Sequence, residues 1–142
     1  MTSNVPGAGP HPPSPPVPRD RRAILVIDDD LGTRETFNWV LTAYGFRVTT
    51  VSSGARAVKV GKSGHFDLML VDLRLPDISG LEVVRSLQSD GSDVRFVVVS
   101  AFLTSPTAAE ARRLGASSVL DKPLTVEHLM THVRAALDEM PG

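Results

Sequence analysis

Five short apolar runs, each continuous rather than alternating with polar residues, limit what this chain can fold into: AILVID (23–28), FRVTTV (46–51), DLMLVD (67–72), RFVVVS (95–100) and the shorter SSVL (117–120). Runs of this length, rich in β-branched residues, suit strands buried on both faces, as in a parallel sheet. The stretches between them carry helical periodicity. Phe37, Val40, Leu41 and Tyr44 recur at i, i+3, i+4, i+7, and Gly45 stands where a left-handed C-terminal cap belongs. Ser79 and Glu82 have capping-box spacing ahead of a helix with Leu81, Val84 and Leu87 on one face. Pro106 fits a first helical turn after Ser105, and that helix is expected to stop at Gly115. Thr125 caps a last helix whose Leu129, Val133, Ala136, Leu137 and Met140 form a stripe. Ala55 to Lys62 gives the faintest helical signal, being short and poor in large apolar residues.

Strands alternating with helices define an α/β domain with right-handed crossovers. The expected architecture is a doubly wound five-stranded parallel sheet in the order 2-1-3-4-5 with five helices, a flavodoxin-like three-layer sandwich, over residues 23–140. A chain of 142 residues, 42% hydrophobic, holds one such domain. Residues 1–22, MTSNVPGAGPHPPSPPVPRDRR, are rich in proline and nearly devoid of large apolar side chains, and are expected to form a disordered tail.

Charge and composition exclude several functions. The net charge of -1 supplies no basic field for direct nucleic-acid binding. The short basic clusters at Arg19, Arg21 and Arg22 and at Arg112 and Arg113 read as solvated. Without cysteine there are neither disulfides nor thiolate metal sites. No apolar stretch approaches the ~20 residues that span a bilayer, so no membrane partner is expected and a cytoplasmic location follows by default.

Parallel sheets of this kind bind ligands at the carboxyl ends of their strands. Asp28, Asp29 and Asp30 end the first strand and Asp72 ends the third, its neighbour in the expected order. At least three carboxylates therefore converge, and a divalent cation is what keeps such a group ionised. All-oxygen ligands select Mg²⁺ or Mn²⁺ over zinc. Asp67 falls about 16 Å from Asp72 at the opposite sheet edge, at ~3.3 Å per residue, and reads as a strand-entry residue. Ser100 brings a hydroxyl to the acidic edge. Lys122, after the fifth strand, is long enough to reach Asp72, and both groups can hold a phosphoryl oxygen.

The series VIDDD, LVDLRLPDISG, VVVSA and DKPL, each at the end of a successive strand, resembles the receiver domain of bacterial two-component response regulators. The resemblance implies that Asp72 is the phosphoacceptor, attacking a phosphohistidine on a sensor histidine kinase or phosphotransfer protein. It implies that Asp29, Asp72 and the backbone carbonyl of Arg74 ligate the metal, with Asp28 reaching it through water. Ser100 would be the switch hydroxyl, Lys122 the phosphate-contacting cation, and the Lys122–Pro123 bond cis. Asp30 would be a solvated or helix-capping residue. The chain would be a signalling acceptor rather than an enzyme, with a downstream protein partner on the face of the fourth and fifth helices, or a homodimer. The single helix after Lys122 leaves room only for a stand-alone receiver or a fragment. One departure stands out: receivers commonly carry an aromatic residue three positions before the lysine, and here that residue is Val119. Output is therefore expected to depend on the backbone and on Phe102.

A rival reading takes DDDLGT as the D-x-D loop of haloacid dehalogenase-like phosphatases, with Asp28 as nucleophile and Asp30 as acid-base. VGKSG lacks the glycine that a phosphate loop needs five residues before Gly61, where Arg56 stands. His128 and His132 share a helix face at metal-binding spacing, but no third ligand accompanies them, and solvent-facing histidines are the expectation. Trp39 lies off the apolar stripe of its helix and reads as a scattered surface aromatic.

Overall fold

The structure, a computed structural model, describes residues 22–138. The proline-rich stretch before Arg22, and Met140 with the expected domain end, lie outside the described residues. Five strands, β1 (Ala23–Ile27), β2 (Arg47–Val51), β3 (Leu68–Val71), β4 (Arg95–Ser100) and β5 (Ser118–Asp121), alternate with α1 (Leu31–Ala43), α2 (Gly54–Ser63), α3 (Gly80–Ser89), α4 (Ser105–Arg113) and α5 (Val126–Asp138). All pairings are parallel, in the order β2-β1-β3-β4-β5. The fold class read from the sequence is the one observed.

Side-chain alternation divides the sheet between two apolar layers. Ile24, Val26, Leu68, Leu70, Val97 and Val99 face α1 and α5, meeting Phe37, Val40 and Leu41 on one helix and Leu129, Met130, Val133 and Leu137 on the other. Leu25, Ile27, Met69, Val71, Phe96 and Val98 face α2, α3 and α4. The middle strands are buried along their whole length, as continuous apolar runs require. β2 is a correction: it lies at the sheet edge, and Arg47 and Thr49 are exposed, so its VTTV stretch is not covered on both faces.

The helix ends follow local chemistry with two adjustments. Gly45 takes φ 93°, beyond the Tyr44 cap of α1, as a left-handed terminus demands. Ser79 caps α3 by accepting from Leu81 N, while Glu82 pairs with Arg85 rather than closing the box. The reciprocal box forms instead at α4, between Thr104 and Thr107, one residue before the expected start. α4 buries only Ala111 of its own side chains, against five for α5, and is tied to α3 by the Arg85–Glu110 ion pair and by Gln88 Nε2 donating to Leu114 O.

Candidate functional site

The parallel ladder runs one residue past the ends of β1 and β3. Asp28 N donates to Val51 O at 3.1 Å and Asp72 N to Ile27 O at 2.9 Å, so both aspartates are fixed at the carboxyl edge of the sheet. Both side chains are buried; the intervening neighbour Asp29 is exposed. Oxygens of Asp28, Asp29 and Asp72 come within 4.8 Å of one another. Each buried carboxylate uses its oxygens in the same way. Oδ1 accepts from the backbone N–H two residues on, Asp30 N at 2.9 Å for Asp28 and Arg74 N at 3.1 Å for Asp72. Oδ2 accepts from Lys122 Nζ, at 2.6 Å for Asp28 and 2.9 Å for Asp72. The local turns orient the carboxylates, and the lysine bridges them.

Lys122 leaves β5 through a backbone bond from its N–H to Ser100 O at 3.1 Å, and the Lys122–Pro123 peptide is cis, as the resemblance implied. Ser100 ends β4 fully buried, and its Oγ accepts from Phe102 N at 3.1 Å, a third i to i+2 turn at the same edge. Burial pushes the Asp28 carboxyl above the ordinary carboxylate range, outweighing its hydrogen bonds to Lys122 and Asp30. Burial also works to lower the Lys122 ammonium, but its bonds to Asp28 and Asp72 prevail and hold it above the usual lysine value. The site thus carries a raised acid and one shared cation, an arrangement with room for further positive charge.

Glycine makes one close approach possible. A Cβ on Gly80 would lie 2.1 Å from Asp72 O, so α3 can start against the end of β3 only because residue 80 has no side chain. Asp30 turns outward instead: Oδ2 accepts from Thr33 N and Thr33 Oγ1, each at 2.8 Å, capping α1. Those bonds hold its carboxyl below the usual range and take it out of the converging group. The D-x-D reading needed Asp30 as an acid-base beside Asp28, and the capping bond removes it from that role.

Three contacts were not read from the sequence. Arg74, considered only for its carbonyl, lays its guanidinium 4.2 Å from the centre of the Phe102 ring. The signal available was position: each lies two residues beyond a site residue, Asp72 or Ser100. Arg34 Nη1 donates to Asp28 O at 2.8 Å. Asp77 accepts from Gly54 N and Ala55 N, both at 2.8 Å, fastening the loop after β3 to the start of α2. Asp67, at the far edge, accepts from Ala23 N at 2.8 Å and is the strand-entry residue expected. Trp39 is 58% exposed, in keeping with its place off the stripe. His132 departs from the solvent-facing expectation: it is half-buried, with Nδ1 2.7 Å from Ser118 Oγ.

The response regulator receiver domain family matches residues 24–134. This chain belongs to that family. Among relatives of the receiver, the cell cycle transcriptional regulator CtrA of Caulobacter vibrioides is 30% identical over 119 residues, 84% of this chain and 52% of that protein. The transcriptional regulatory protein FixJ of Azorhizobium caulinodans is 35% identical over 114 residues, 80% of this chain and 54% of that one. The chain spans about half the length of these relatives. Among solved structures, the response regulator TrrA of Thermotoga maritima in complex with Mg²⁺-BeF superposes with a TM-score of 0.73 at 28% identity, covering 82% of this chain and 99% of that one. The CheY-like receiver domain protein of Methanospirillum hungatei gives a TM-score of 0.81 at 22% identity, covering 84% and 96%. Receiver domains serve two-component systems and are phosphorylated on aspartate by histidine kinases or phosphotransfer proteins. No helix among the described residues is long and apolar enough to cross a membrane.

Proposed function

We propose that the chain is a phosphoacceptor in a two-component phosphorelay, with Asp72 as the residue phosphorylated. The observation that carries this reading is the position of the Asp72 carboxylate, 2.9 Å from Lys122 Nζ and within 4.8 Å of oxygens of both Asp28 and Asp29. One Asp72 oxygen attacks the phosphorus of a phosphohistidine on a sensor kinase or phosphotransfer protein. An O–P bond forms, the P–N bond breaks, and the departing imidazole recovers a proton from solvent.

The donor set is all oxygen, converges within one ion's reach and includes an acid raised by burial, which fits Mg²⁺ or Mn²⁺. Asp29, Asp72 and the Arg74 carbonyl would hold the cation directly, with Asp28 through water, and it supplies positive charge against the incoming phosphoryl oxygens. Lys122 shifts from bridging two carboxylates to contacting the phosphoryl group, and the Ser100 hydroxyl turns inward to donate to it. That movement releases the bond from Phe102 N and biases the loop after β4 between two arrangements. The response travels through protein contacts on the face of α4, β5 and α5, to a partner or a second copy.

The test is incubation with a small acyl phosphate and Mg²⁺, followed by mass-spectrometric mapping of base-labile phosphate. Label on Asp72, lost in Asp72→Asn and reduced in Lys122→Ala, is expected. Label on Asp28, or undiminished uptake by Asp72→Asn, overturns the assignment.

A further inference from the structure

Two of the four histidines lie on consecutive turns of α5, and the acidic pocket uses neither. His128 and His132 are four residues apart, which places them on one helix face. Their ring centres are 4.9 Å apart with the planes at 69°. The His132 ring is also held from the sheet, where its Nδ1 meets Ser118 Oγ on β5 at 2.7 Å. With the proton on Nδ1 and donated to that hydroxyl, Nε2 presents its lone pair to a ligand.

The spacing of the rings has a chemical meaning. With metal–nitrogen bonds of about 2.0–2.1 Å, two imidazoles sharing one ion at square-planar to tetrahedral angles hold their ring centres about 4.5–5.2 Å apart. The observed 4.9 Å falls inside that interval before any ion is added. Two histidines at i, i+4 are the pair that zinc-binding helices present, and a ligating imidazole characteristically hydrogen-bonds through its other nitrogen, as His132 does to Ser118. Imidazole suits Zn²⁺, Cu²⁺ or Ni²⁺ and discriminates against Mg²⁺, the reverse of the all-carboxylate pocket.

We propose that His128 and His132 form a second metal site, separate from the acidic pocket, that binds one borderline divalent transition ion with Ser118 positioning the His132 ring. Zn²⁺ is the probe of choice, and water completes its coordination. Both ligands lie on α5, and the Ser118 bond ties the His132 ring to β5, the strand that leads into Lys122.

The experiment titrates the full chain with Zn²⁺ against a chromophoric chelator in saturating Mg²⁺, while imidazole nitrogen resonances are followed by NMR. One equivalent of Zn²⁺ is expected, moving the His128 and His132 resonances, which Mg²⁺ leaves in place. His128→Ala and His132→Ala, checked for folding by circular dichroism, each weaken binding about tenfold or more. Ser118→Ala weakens it by up to about tenfold. His11→Ala and His65→Ala retain wild-type affinity. The site is refuted if Zn²⁺ affinity survives either α5 substitution, or if wild-type Zn²⁺ shifts only His11 or His65; the wild-type spectra decide even where a variant fails to fold.

Discussion

Asp67 and Asp72 stand at opposite ends of one strand, and their surroundings differ in kind. Asp67, at the amino edge, accepts a backbone N–H from Ala23 and lies 3.6 Å from His65. Asp72, at the carboxyl edge, shares a lysine with Asp28 and crowds against Asp29. Strands that all run the same way expose N–H groups at one edge and carbonyls at the other. A carboxylate at the amino edge therefore meets donors the backbone already supplies. At the carboxyl edge carbonyls repel it, and only turn N–H groups and imported cations offset the charge. One edge uses an acid to close the sheet; the other stores unbalanced charge for chemistry.

The sharpest way to break this contrast is to disturb how the charged edge is assembled. Gly80→Ala drives a Cβ into Asp72 O, and should destabilise the protein by about 3 kcal/mol in chemical denaturation, with phosphate uptake falling alongside. Asp28→Asn should act in the opposite direction on stability. Folding raises the Asp28 pKa, so its ionisation stabilises the unfolded chain more: stability is greatest below the ordinary carboxylate value and declines as pH rises through the folded one. The neutral isostere removes that cost and should stabilise the metal-free protein at pH 7 by about 1 kcal/mol, while weakening Mg²⁺ binding; denaturation with and without Mg²⁺ measures both. At the other edge, Asp67→Ala should cost about 1 kcal/mol and leave phosphate uptake intact, whereas a loss of uptake would erase the distinction between the edges.

The smallest effect on stability is expected at Phe102, 53% exposed, where removing the stack with Arg74 costs roughly 0.5 kcal/mol. Its consequence lies in signalling. Phe102→Ala should shrink the amide shifts that a phosphodonor produces in α4, since Val119, half-buried against the sheet, offers no aromatic ring to turn. Unchanged α4 shifts would return the relay to the backbone alone.

What could be read from the sequence follows from how local its causes are. The middle strands announce themselves because burial on both faces demands unbroken apolar runs, and the aspartates are legible because each directly follows such a run. β2 misleads because VTTV satisfies strand propensity whether it is covered or lies at an edge. The Ser79–Glu82 spacing is right for a capping box, yet Arg85, one turn on, competes for the glutamate and wins. The Arg74–Phe102 stack and the His132–Ser118 bond join residues from different elements, so they depend on loop path and on how α5 lies across β5. No window of sequence contains that information.

The scant burial of α4 bears on what holds it in place. Ala111 alone is sealed beneath it, and the helix is tied to α3 by the Arg85–Glu110 bridge and by the bond from Gln88 Nε2 to Leu114 O. The screening length is about 8 Å at physiological ionic strength, so salt only weakens, and does not abolish, a partly exposed pair in direct contact. Added salt therefore loosens one of the two polar ties between α4 and α3 and leaves the other in place.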